Sequence, residues 1–82
     1  MTDIGDEMTV EEVVSIGHDE RLAKLIGSYR GPGGIARIIV RRTGVAEMRL
    51  YLVVGEKEQD CSGIDAQLRL EHAIADGILQ RI

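Results

Sequence analysis

Aromatic side chains are nearly missing from this sequence, which has no Trp, no Phe and two Tyr. Its core must therefore be aliphatic, each buried Leu or Ile contributing roughly 1.5–3 kcal/mol. The lone cysteine, Cys61, excludes a disulfide framework and a thiolate metal cluster. The lack of any disulfide framework fits a reducing compartment, so a cytoplasmic location is expected. No apolar run approaches the ~20 residues of a membrane span, and no membrane insertion is expected. The acidic opening MTDIGDEM has neither the basic start nor the apolar stretch of a signal peptide. Fourteen Asp and Glu against ten Lys and Arg leave a net charge of −4, which disfavours bulk nucleic-acid binding. Catalytic spacing is also missing: Ser15, Ser28 and Ser62 have no adjacent His-acid arrangement, and no enzyme is expected. Gly31-Pro32-Gly33-Gly34 reads as a turn between a helix and a strand. A phosphate loop needs the reverse order and a following Lys and Ser/Thr.

What is present centres on Ile35 to Val54: IARIIVRR, a TGVA link, then EMRLYLVV. Side chains on a strand alternate between faces with period two. One face collects Ala36, Ile38, Val40, Met48, Leu50, Leu52 and Val54 and is uniformly apolar, the core side of an antiparallel hairpin. The other collects Ile35, Arg37, Ile39, Arg41, Glu47, Arg49, Tyr51 and Val53. Three arginines are mixed there with residues that a purely solvated face rarely carries.

Eighty-two residues bound one domain that hides only ~60–65% of its unfolded surface. Residues 1–8 are polar and acidic, a flexible N-terminus ahead of a single α+β domain over 9–82. Thr9 and Glu12 have capping-box spacing, and Val10, Val13, Val14 and Gly17 follow at helical intervals. A strand from Glu12 to Ile16 is the alternative for this β-branched stretch. Asp19 caps a second predicted helix, Glu20 to Tyr29, whose stripe is Leu22, Leu25, Ile26 and Tyr29. A bend near Gly17-His18 separates the two stripes. GEKEQDCSG reads as a polar loop. A long C-terminal helix from about Ile64 to Ile82 then packs across the apolar face of the hairpin. Its apolar arc is wider than one sheet requires.

Spare apolar surface points to self-association. The favoured function is a non-enzymatic self-association or regulatory module, forming a homodimer through Ile39, Tyr51, Val53, Ile78 and Ile82. Arg37, Arg41 and Arg49 offer an alternative surface for nucleic acid or an acidic protein, although single-stranded nucleic-acid sites usually add several stacking aromatics. His72 and Asp76 stand one turn apart on the last helix and are two candidate ligands for a divalent metal such as zinc, which usually takes four donors. The same pair also reads as part of a solvated polar stripe. His18-Asp19-Glu20 reads as helix-start chemistry.

The runs GGIARIIVRRTG, EMRLYLVVGE and LEHAIADGILQRI together resemble the cytoplasmic C-terminal domain of cation diffusion facilitator transporters, over about Leu22 to Ile82. Arg41, Thr43, Gly44, His72, Ile74, Ala75 and Asp76 carry the match. The resemblance implies an α+β domain that forms a homodimer and a helix histidine that binds zinc or a related divalent ion. The strand histidines of that family fall here on Ala36 and near Tyr51-Leu52. The family also has a shorter loop before its last helix and a further strand after the position of Ile82.

Overall fold

The computed structural model describes residues 6–45 and 47–82. Its elements are β1 (Asp6–Met8), α1 (Val10–Gly17), α2 (Glu20–Leu25), β2 (Gly27–Gly31), β3 (Gly34–Arg42), β4 (Met48–Val54), β5 (Lys57–Asp60), α3 (Ile64–Ala75) and β6 (Gln80–Arg81). The class is α+β, as expected, with an antiparallel sheet ordered β5-β4-β3-β2-β6. β1 also joins β3, covering Val40–Arg42 beyond the end of β2.

The hairpin at the centre has the expected faces. β3 and β4 pair over seven positions, from Ala36 opposite Val54 to Arg42 opposite Met48. Ile38, Val40 and Leu50 are fully buried, and Met48 and Leu52 pack against the same cluster. The helices cover this side with Val13, Leu22, Ala23, Leu25 and Leu70. Local chemistry sets the helix starts. The Glu12 amide donates to Thr9 Oγ1 (3.2 Å), and the Thr9 amide donates to Glu12 Oε1 (2.9 Å), closing the capping box. The 9–17 stretch is therefore helix rather than strand, and it ends at His18 in the left-handed region (φ 53°). The Leu22 amide donates to Asp19 Oδ1 (3.0 Å), capping α2.

Six expectations are corrected. The second helix stops at Leu25, and Tyr29 lies on β2, wholly buried opposite Ala36. Its helical spacing from Leu22 and Leu25 coincides with a strand position facing the same core. The glycine turn therefore joins two strands, with Gly31 paired to Gly34. The polar loop contains β5, a fully exposed edge strand held by backbone pairing to β4. The expected flexible N-terminus ends in β1, whose Met8 is buried, while residues 1–5 lie outside the described residues. Cys61 is a core residue, its amide donating to the Leu50 carbonyl (2.7 Å).

The sixth correction concerns the C-terminal helix, which has 12 residues. Gly77 stops it at φ 79°, its amide donating to the Ile74 carbonyl (3.2 Å) while the Leu79 amide reaches Ala73 (3.0 Å). A glycine in this conformation is a common helix ending. Ile78 and Ile82 therefore lie beyond the helix, and the chain returns to the sheet as β6. Arg81 fastens that return. Its guanidinium donates to the carbonyls of Lys24 (2.6 Å) and Ile26 (3.3 Å) and to Tyr29 Oη (2.7 Å). It thus satisfies acceptors that the end of α2 leaves unpaired.

The two faces of β4 make opposite predictions for neighbouring residues. Leu50→Ala should cost about 2–5 kcal/mol by chemical denaturation, the usual loss for a truncated buried leucine. Arg49→Ala removes an exposed ion pair and should cost at most about 1 kcal/mol. Equal small losses would contradict the assignment of faces.

Candidate interaction surface

The helices pack on one side of the sheet, and among the described residues no helix covers the other. Ile39 lies there, outside the helical core, yet is only 2% exposed. Tyr51 is its cross-strand partner, and Arg37 and Arg41 flank it two positions away on the same strand. Tyr51 and Val53 are half-buried.

Three ion pairs run diagonally across this surface. Arg37 Nη2 donates to both oxygens of Glu7 on β1, at 3.0 and 2.9 Å. Arg41 crosses the Tyr51 ring, 5.8 Å from its centroid, and donates to Glu58 Oε2 on β5 at 3.1 Å. Arg49 donates to Asp60 Oδ2 at 2.9 Å. Arg41 and Arg49 are direct cross-strand partners, a like-charge pairing that these acids offset. Arg41 thus lies over the Tyr51 ring while its charged end stays near water. The sequence points to Glu47 as the arginines' acidic partner. Glu47 instead accepts from the Thr43 hydroxyl (3.2 Å) within the hairpin link.

Asp60 has a second role. Hydrogen bonds from Ser62, and then from Arg49, hold its carboxyl below the usual carboxylate range. Ser62 Oγ accepts from the Leu50 amide (2.9 Å), so the Asp60–Ser62 turn secures β4 just after β5 ends. On the helix side, Arg21 grips Glu71 through two bonds, 2.6 and 3.1 Å, tying α2 to α3. The arginine lowers the Glu71 pKa in turn.

The structure brings together Arg37, Ile39, Arg41, Arg49, Tyr51 and Val53 on one face. Ile82 falls in the same alternation at the far end, since β6 pairs with β2 and the Ile82 amide donates to Ser28 (3.1 Å). Ile82 is 68% exposed, and Ile35, at the end of β3, is 52% exposed. Ile78 is also exposed but belongs to the α3–β6 turn. His72 is an exposed helix residue and Asp76 is the helix C-cap, its amide donating to the His72 carbonyl (2.8 Å). Among the described residues, no group of three His, Cys, Asp or Glu is placed to hold a metal ion. Ile35 has its expected place on this face, whereas alternation within the hairpin gives no sign of Glu7, Arg30, Glu58 or Asp60. Glu58 and Asp60 carried a signal, lying two apart after a Val-Val-Gly-Glu turn as alternating strand residues do.

The architecture defines a small α+β domain whose open sheet face carries an arginine–carboxylate lattice. No protein-family model, curated protein or solved structure matches the chain. Among the described residues, no helix is long and apolar enough to cross a membrane.

The depressed Asp60 pKa has a pH consequence. A carboxylate whose folded pKa lies below its unfolded value contributes stability above the unfolded value, about 3.9 for aspartate. That contribution is lost as pH falls through the folded value. Asp60→Asn should flatten the loss of stability below about pH 5, measured as melting temperature against pH. An unchanged acid limb would contradict the role of Asp60.

Proposed function

We propose that this chain is a non-enzymatic self-association module whose open sheet face packs against a second copy. The supporting observation is the composition of that face. Its apolar residues run from Ile39, Tyr51 and Val53 to the exposed Ile35 and Ile82, and both signs of charge surround them. A two-fold interface uses the same patch on both subunits, so the patch must complement itself. A mixed lattice of Arg37, Arg41 and Arg49 with Glu7, Glu58 and Asp60 meets that requirement better than a surface of one sign.

The alternative use of the arginines, for an anionic partner, is less favoured by the same geometry. Each of Arg37, Arg41 and Arg49 already holds a carboxylate within 3.1 Å. A phosphate would have to compete with these acids. For the metal reading, His72 and Asp76 supply two donors, and no specific observation favours it over self-association. The interface also differs from the one expected of a long C-terminal helix. It is a sheet face with Ile82 at its rim.

Ile35→Glu tests this reading without touching the core. Sedimentation of the wild type should show mass rising toward a dimer from micromolar concentration upward. Burying an isoleucine is worth roughly 1.5–3 kcal/mol, and two copies contribute, so the variant should associate on the order of 100-fold more weakly. A wild type that stays monomeric at high concentration would overturn the proposal.

A further inference from the structure

Charges of both signs are spread across the open face. Glu58 and Asp60 lie on β5 at one side, Arg49 on β4, Arg37 and Arg41 on β3, and Arg30 on β2 and Glu7 on β1 at the other side. Arg30 is exposed. Among the described residues its side chain makes no hydrogen bond or ion pair, whereas Arg37, Arg41 and Arg49 all hold carboxylates. The acids on this face differ in the same respect. Both oxygens of Glu7 accept from Arg37. Asp60 uses Oδ1 for the Ser62 amide and Oδ2 for Arg49. Glu58 accepts from Arg41 through Oε2, and among the described residues its Oε1 has no donor.

The unpaired guanidinium and the unengaged carboxylate oxygen cannot meet within one chain. β2 and β5 are three strand spacings apart, about 14 Å at ~4.8 Å per spacing. A second copy removes that separation. A two-fold axis in the plane of the face and parallel to the strands reverses the strand order, laying β2 of one copy over β5 of the other. It also lays Ile39 over Tyr51 and Arg41 over Arg49 of the second copy, each of these arginines still held by its own carboxylate, Glu58 and Asp60. An axis across the strands would instead bring Arg30 toward Glu7, whose two oxygens are occupied.

Building on the self-association reading, we infer that Arg30 of each copy pairs with Glu58 of the other, in two symmetric clusters of Arg41, Glu58 and the incoming Arg30. A carboxylate has about four acceptor positions, enough for both arginines. The hydrophobic centre supplies attraction, and these two clusters fix which way the second copy lies.

Charge reversal tests this pairing by sedimentation at low salt. Arg30→Glu and Glu58→Arg should each weaken association by about tenfold or more, since each places like charges together. The double variant should recover to within about threefold of the wild type. Glu58→Arg also disturbs Arg41, so melting of each variant at dilute concentration checks the fold. A neutral cycle with Arg30→Gln and Glu58→Gln provides a second reading, in which coupling between the two substitutions is expected. Association that is indifferent to Arg30, or that the double reversal does not restore, with no coupling in the neutral cycle, would overturn the pairing while self-association stands. A wild type without association would overturn both.

Discussion

The pairing of β3 with its neighbours is the constraint from which the rest of the molecule follows. β4 runs along most of its length, and β2 and β1 divide its other edge between them. Once Ala36, Ile38 and Val40 face the helices, alternation forces Arg37, Ile39 and Arg41 to the opposite side. A one-residue slip would exchange these two sets and bury the arginines. Such a slip would desolvate charge without partners, which is costly. The register is therefore fixed by burial on one side and by charge on the other.

A chain with no Phe or Trp must use other means to cover apolar surface. On the helical side the cover is aliphatic, with Tyr29 the one large ring, its hydroxyl donating to the Leu25 carbonyl (2.8 Å). On the open side Arg41 lies over the Tyr51 ring, and carboxylates on β1 and β5 hold the ends of Arg37 and Arg41 on either side of Ile39 along β3. Exposed ion pairs add little stability individually. Their effect here is positional, because each fixes a long side chain on this face. The short strands at the margins follow the same economy. The charged residues of β5 discourage further strands from adding to that edge, and Arg81 anchors β6 to the end of α2.

The hairpin was legible because it alternates over seven paired positions and carries a turn signal, and the first two helix starts because Thr9 and Asp19 have short-range capping geometry. β2 was hidden because Tyr29 satisfies helical and strand spacing alike. β5 was hidden because an edge strand with both faces wet has no hydrophobic pattern, only backbone bonds. β6 was hidden because Ile78, Leu79 and Ile82 continue the helical spacing past Gly77, whose left-handed conformation overrides it. The arginines and apolar members of the open face could be read from alternation alone. Their partners could not. Glu7 reaches that face only through a strand pairing that is long-range in sequence, and Arg30 through the β2–β3 hairpin that the helical spacing of Tyr29 conceals.

Self-association through the open face assigns the helix-free side of the sheet to contact and leaves the helical side in water. Val10, Val14 and Ile16 on α1 are exposed hydrophobics too, so the two sides make different predictions. Methyl NMR spectra recorded from low micromolar to millimolar protein distinguish them most directly. The methyl signals of the exposed Ile35 and Ile82 and the half-buried Val53 should move together with concentration, while those of Val10, Val14 and Ile16 stay fixed. Movement confined to the α1 methyls, or none at all, would contradict the assignment of this face to self-association.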